Sequence, residues 1–212
     1  MEFTRLIAVR HGETAWNVDT RLQGHQDIGL NDKGWWQARR LAQALAHEPI
    51  AAIYSSDLAR AWRTAQEIAL GRGLPLKSEP RLRERAFGHF EGRTFLDIEQ
   101  ALPEQAARWR KRDPEFAPEG GESLRQFRTR VTEAVGELAD RHPGQQVLLV
   151  AHGGVMDVLY RAATGQELQA ARTWQLGNAS INRLLWTAQG LTLVGWGDDA
   201  HLEGDALDEQ TA

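Results

Sequence analysis

Short apolar runs of strand character alternate along this chain with longer segments whose apolar residues recur at helical spacing. No other feature constrains the fold as much. The strand candidates are 5–9, 51–54, 76–78, 147–151, 182–186 and 191–195. Between the early ones, Trp35, Ala38, Leu41, Ala42 and Leu45 fall on one helical face, with Asn31 or Asp32 as the N-cap. Leu58, Ala61, Trp62, Ala65 and Ile68 do the same after Ser55-Ser56-Asp57. Leu124, Phe127, Val131, Ala134 and Leu138 mark a longer helix that opens on a capping box, Ser123 with Gln126, and stops at His142-Pro143-Gly144. A further helical run covers 155–163. Strand and helix in alternation predict an α/β fold, a three-layer α/β/α sandwich around a mainly parallel sheet. The last two strands are separated only by 187–190, which predicts a hairpin and an antiparallel edge. Residues 1–197 read as one domain. Residues 79–121 read as irregular, and the acidic stretch 198–212 reads as a tail.

Composition narrows the class. With 212 residues and a net charge of −4, the chain can bury a sizeable core and lacks the basic surface expected for nucleic-acid or anionic-membrane partners. Cysteine is absent, which removes disulfides, thiolate metal sites and a cysteine nucleophile. The N-terminal residues do not read as a secretion signal, and no apolar run reaches the roughly 20 residues of a membrane span. The expected location is the cytoplasm.

The chemistry concentrates at the ends of two strands. Arg10-His11-Gly12-Glu13-Thr14 follows the first, and in open α/β sheets ligands bind beyond the carboxyl ends of strands. Arginine fits phosphate oxygens, and a neutral imidazole can attack phosphorus. The same pattern recurs where 147–151 leads into His152-Gly153-Gly154 and a helix whose free N–H groups suit an anion. Arg60 falls in the first turn of its helix, where the dipole disfavours a cation, which hints at an anion nearby. Glu84, in Leu82-Arg83-Glu84-Arg85, could protonate a leaving oxygen, although the neighbouring arginines argue for a lowered pKa. Each feature alone has a plain alternative: an ordinary turn at His11, a satisfied histidine at 152, a solvated arginine at 60.

Taken together with Trp16-Asn17, Gln23-Gly24, Leu30-Asn31, Gly34, Ser55 to Ala61, Arg81 to Glu84, Phe87-Gly88, Glu91-Gly92 and Gly121-Glu122-Ser123, these motifs resemble the histidine phosphatase superfamily, in its phosphoglycerate-mutase-like branch. The resemblance runs from about residue 4 to 197. It implies a phosphoglycerate-mutase-like fold with His11 as nucleophile, Glu84 as proton donor, and Arg10, Arg60 and His152 as a phosphate cradle. Asn17, Gln23 and the Gly153 N–H would be further phosphate donors. Arg21 and Gly24 would sit near the mouth. Neutral His11 and cationic His152 would give a bell-shaped pH profile. No metal or other cofactor is expected. The segment Phe87-Gly88-His89-Phe90-Glu91-Gly92 and the stretch Gly24-His25-Gln26-Asp27 resemble the phosphatase side of the branch. A short cap, about 91–120, would leave the site open to water, with Trp109, Arg110, Lys111 and Arg112 either reading substrate or forming a solvated face, the latter preferred. The expected activity is a metal-independent phosphomonoesterase acting on a small phosphorylated metabolite. A phosphoglycerate mutase is the alternative, and a non-catalytic phospho-ligand-binding module ranks last. The sequence sets neither the substrate nor the oligomeric state.

Overall fold

In the computed structural model, which describes residues 3–203, the two strands that end in the histidine motifs lie side by side at the centre of the sheet. They are β1 (Thr4–Arg10) and β4 (Gln146–Ala151), paired in parallel from Arg5 opposite Gln146 to Arg10 opposite Ala151. β2 (Ile50–Ser55) and β3 (Leu76–Ser78) extend the parallel part beyond β4. On the other side of β1 lie β5 (Ile181–Thr187) and β6 (Gly190–Asp198), an antiparallel hairpin. The sheet order is β3-β2-β4-β1-β5-β6. The mixed, mostly parallel sheet with an antiparallel edge is the one the sequence predicts.

The period-2 alternation of the strands divides the core between two faces. Leu6, Ala8, Val147, Leu149 and Ala151 face α6 (Leu124–Asp140) and α7 (Gly153–Thr164), which contribute Phe127, Val131, Val135, Leu138, Val155 and Leu159. Ile7, Val9, Leu148 and Val150 face α2 (Asp32–Ala44) and α3 (Ala59–Ala69), which supply Leu41, Ala61, Ala65 and Ile68. A strand buried on both faces needs apolar residues at every position, which is why β1 and β4 read as continuous runs. The helix starts are local: Asn31 caps α2, and Ser123 with Gln126 closes a capping box on α6, each worth about 1 kcal/mol.

Residues 79–121 are more regular than their charges and prolines suggest. They hold α4 (Phe95–Ala101) and α5 (Pro103–Arg110), after a single-turn α1 (Ala15–Val18) earlier in the chain. Pro103 does not break a helix but begins one, at the position where its missing N–H costs nothing. Phe90, Ile98, Ala106 and Phe116 form a third, small core, against which Phe87 and Trp109 pack. The first residues of the expected tail are also ordered. β6 runs to Asp198, Ala200–Leu202 forms a 3-10 turn, and Arg40 Nε donates to the His201 carbonyl at 2.7 Å. The rest of that expected tail, 204–212, lies outside the described residues.

Candidate active site

His11 and His152 meet where β1 and β4 end. Their ring centroids are 5.2 Å apart at an interplanar angle of 60°, and both are buried. The His11 Nδ1 lies 2.6 Å from the Gly12 carbonyl oxygen. A carbonyl only accepts, so Nδ1 carries the proton and Nε2 the lone pair. The His11 backbone is tied in turn: its N–H donates to Ala151 O, and its carbonyl accepts from Asn178 Nδ2 at 3.0 Å. Burial holds the His11 pKa well below its ordinary value, helped by the charges of Arg60 and Arg10. His11 is therefore a neutral, oriented imidazole.

His152 departs from expectation. Its Nε2 lies 2.8 Å from Ser56 Oγ, and its Nδ1 has no hydrogen-bond partner among the described residues. Burial, then Arg60, His11, Arg10 and His25, lower its pKa well below the ordinary value. Burial and arginine charge thus favour the neutral ring, where the sequence reading expects an imidazolium in the transition state. A neutral His152 that accepts from Ser56 Oγ–H and presents Nδ1–H can still donate to a phosphoryl oxygen. Burial and arginine charge make both histidines resist protonation, which puts the acid limb they set below about 6.5, the unperturbed histidine value.

Arg60 is the clearest departure from a solvated side chain, at 1% exposure. Its two terminal nitrogens donate to Gly24 O and Gln26 O, both at 2.8 Å, while Nε has no partner among the described residues. Burial lowers its pKa to about 10, against the opposing pull of Glu84 and Asp27, which leaves it charged. The bonds to the Gly24 turn explain how Gln23 and Gly24 come to the site. Gly24 has φ +52°, and a Cβ there would sit 2.1 Å from Glu91 Oε1. Gln23 is buried, its Oε1 unpartnered among the described residues. Arg10 donates to Leu176 O, and its buried Nε likewise lacks a partner. Three side-chain nitrogens without a partner among the described residues, Arg10 Nε, Arg60 Nε and His152 Nδ1, describe an anion site.

Glu84 caps the helix that His152 begins. Its Oε2 accepts from Gly154 N at 2.9 Å and its Oε1 from Arg85 N at 2.8 Å. The arginines beside it in sequence do not pair with it. Arg83 takes Asp57 through two bonds, 2.7 and 2.5 Å, and the guanidinium of Arg85 donates to Glu122 O and Phe116 O. The loop is clamped from α6 by Arg130, which donates to the carbonyls of Arg81, Arg83 and Glu84 and pairs with Glu122. His25 adds a contact of 2.9 Å between Nε2 and the Glu84 carbonyl.

A cavity of about 410 Å³ opens beside this cluster, lined by Arg10, Glu84, Gly153 and Gly154 at its inner end. Its outer walls are set by Phe87, Trp109, Phe127, Arg112, Asp157 and Arg172. Of the four residues 109–112, the structure brings Trp109 and Arg112 to the cavity and leaves Arg110 and Lys111 exposed, Arg110 paired with Glu99. Asn17 sits near the cluster with its Oδ1 committed to the Thr14 capping box and to Asn178. Arg21 is exposed, bonded to Gly92 O, and does not line the cavity. Sequence reasoning missed Ser56 as the partner of His152, and also Asn178, Arg130, Asp157 and Arg172. Ser56 stood in a recognised motif; the others lie in helices and loops that carry no local signal. Among the described residues no group of three or more His, Cys, Asp or Glu is placed to hold a metal ion, and no helix is long and apolar enough to cross a membrane.

Comparison with known proteins matches this geometry. The family model of the histidine phosphatase superfamily (branch 1) covers residues 6–199. A relative from Cronobacter sakazakii, named probable phosphoglycerate mutase GpmB, is 39% identical across 97% of this chain and 98% of its own. The solved structure of Bacillus stearothermophilus YhfR superposes with a TM-score of 0.88 at 35% identity, over 94% of this chain and all of that one (100%). A mycobacterial glucosyl-3-phosphoglycerate phosphatase in complex with VO3 gives a TM-score of 0.79 at 34% identity, over 91% and 98% of the two chains.

Proposed function

This chain belongs to the histidine phosphatase superfamily and is an enzyme of that superfamily, and from that premise we propose that it is a metal-independent phosphomonoesterase working through a phosphohistidine on His11. The observation that carries the reading is the His11 imidazole, held neutral by burial and by Arg60 and Arg10, with its Nδ1–H fixed on Gly12 O. A lone pair so oriented needs no base to activate it.

In the first half-reaction Nε2 of His11 attacks phosphorus, the P–O ester bond breaks, and the carboxylic acid of Glu84 gives its proton to the departing alkoxide. In the second, a water attacks the phosphohistidine and passes a proton to the Glu84 carboxylate. The P–N bond breaks and its electron pair returns to Nε2. Arg10, Arg60 and the His152 Nδ1–H stabilise the phosphoryl oxygens in both steps, with the free N–H groups at the start of α7, Gly153 among them, as further donors. Gln23 and Asn17 orient the anion from the other side. Glu84 lines a cavity, which supports access of the water that the second step needs. Small phosphorylated metabolites are the substrate class, and the cytoplasm the setting.

The curated relatives that carry a mutase name support a second reading, a phosphoglycerate mutase. Phosphate release from a panel of phosphomonoesters, with chelator throughout and with 3-phosphoglycerate and its bisphosphate primer included, separates the two. Release that outpaces isomerisation is expected. Primer-dependent formation of 2-phosphoglycerate without release would replace the phosphatase by the mutase.

A further inference from the structure

The outer end of the cavity carries polar chemistry that phosphate transfer does not use. Asp157 lies one turn beyond Gly153 on α7, a rise of about 6 Å. It is 7% exposed and lines the cavity. Its Oδ2 accepts from Arg112 at 2.7 Å and from Arg161 Nε at 3.0 Å, whereas its Oδ1 accepts from no described residue. A buried acceptor without a donor costs about 1–3 kcal/mol, and more when charged. Asp157 borders the cavity, so that oxygen suits a donor brought by the ligand. An ammonium is a poor candidate, because Arg112 and Arg161 already balance the carboxylate and Arg10 and Arg172 border the same space. A ligand carboxylate has no proton to give to that oxygen. A hydroxyl meets both conditions.

The backbone of Arg112 points the same way. Arg112 follows the end of α5 at φ +52°, with its N–H on Trp109 O and the Asp113 N–H on Arg108 O, the bonding of a Schellman turn. Glycine is the residue that adopts this conformation without strain, by roughly 1 kcal/mol or more. The arginine side chain instead spans the cavity rim, donating to Leu168 O at 2.7 Å and to Asp157. The wall also carries Phe87, Trp109 and Leu176, apolar side chains that can cover carbon–hydrogen faces.

We propose that Asp157, braced by Arg112, is a specificity-determining residue that accepts a hydrogen bond from a hydroxyl of the leaving alcohol, two or more carbons beyond the ester carbon. The substrate class is then the phosphomonoester of a polyol or sugar, in preference to simple alkyl esters or phosphorylated hydroxy acids. This rests on the phosphatase reading. The test compares kcat/KM for phosphate release within carbon-matched pairs: glycerol 3-phosphate against n-propyl phosphate, and ribose 5-phosphate against tetrahydrofurfuryl phosphate. 3-Phosphoglycerate and p-nitrophenyl phosphate complete the set. The hydroxylated member of each pair is expected to lead by about tenfold, the worth of one well-made hydrogen bond, and 3-phosphoglycerate to do no better than n-propyl phosphate. In Arg112→Gly, whose backbone conformation suits glycine, the ratio within each pair falls towards one, a readout insensitive to any overall loss. Ratios within twofold in the wild type, or unchanged in Arg112→Gly, overturn the assignment. If p-nitrophenyl phosphate is turned over while the ratios stay near one, the hydroxyl reading alone fails. Silence on every ester, p-nitrophenyl phosphate included, removes the phosphatase reading and this one with it.

Discussion

Two buried histidines that refuse protons should make this protein lose stability on mild acidification, by an amount that can be worked out. Burial, reinforced by Arg60 and Arg10, depresses the pKa of both His11 and His152 in the folded state. In the unfolded chain each titrates near 6.5. Above that value neither state binds the proton and the contribution is fully present. As pH falls below it, the unfolded chain takes up protons that the folded site rejects, and folding is penalised. For a folded pKa far below the unfolded one, acidification from about pH 7 to about pH 5.5 costs roughly 1.2 kcal/mol per histidine, or about 2.5 kcal/mol for the pair. Titrating carboxylates add their own terms, so the perturbation is a difference: urea unfolding of the wild type and of His11→Asn/His152→Asn at both pH values. The stability gap between the two proteins should shift in favour of the variant by about 2.5 kcal/mol on acidification, a relative change in midpoint of about 1 M urea. Parallel pH dependences in the two proteins would refute the claim that the site holds both rings neutral.

The proton-donor assignment and the scaffold behind it give three further expectations. Glu84→Gln should slow alkyl phosphates by about 10²-fold or more and p-nitrophenyl phosphate far less, since that leaving group barely needs a proton; equal losses would exclude Glu84 as the acid. A Cβ at Gly154 would fall 2.1 Å from Glu84 Oε1 and 3.1 Å from Phe127, so Gly154→Ala should reproduce the same leaving-group dependence with a loss of about 10²-fold in kcat, and a normal rate would show that the contact is not used. Arg130→Met breaks a pair with Glu122 in which each side chain is only 21% exposed, and frees three carbonyls of the Glu84 loop. It should cost about 2–3 kcal/mol in urea unfolding and lower kcat more than it raises KM, and an unchanged Tm and kcat would refute the clamp.

The parts of this architecture written in local sequence could be read from it. β1 and β4 declare themselves as apolar runs closed by histidine and glycine, and the capping residues Asn31 and Ser123 stand where their helices begin. Arg60 was legible through a conflict, a cation in a first helical turn, which the turn at Gly24 and Gln26 resolves by accepting its hydrogen bonds. What could not be read depends on chain segments that meet only in three dimensions. Asn178 reaches His11 because β5 runs antiparallel beside β1, so the residues before Ile181 arrive at the end of β1. α4 and α5 are short, and a proline that signals a break in most contexts opens α5. The charged stretch 109–112 divides by side-chain direction: Trp109 and Arg112 line the cavity, while Arg110 and Lys111 face solvent. The neutral state of His152 follows from total burial among arginines and another histidine, which no spacing of residues encodes.

The central claim is that His11 carries the phosphoryl group, and chemical trapping tests it most directly. The wild type is mixed with a labelled phosphomonoester, quenched during turnover in alkali, where phosphohistidine persists, and mapped by mass spectrometry. The account predicts one acid-labile phosphate on the peptide containing His11, absent in His11→Ala, which should keep its fold and lose its turnover. Phosphate release with no trapped intermediate in the wild type, or sustained turnover by His11→Ala, would contradict it.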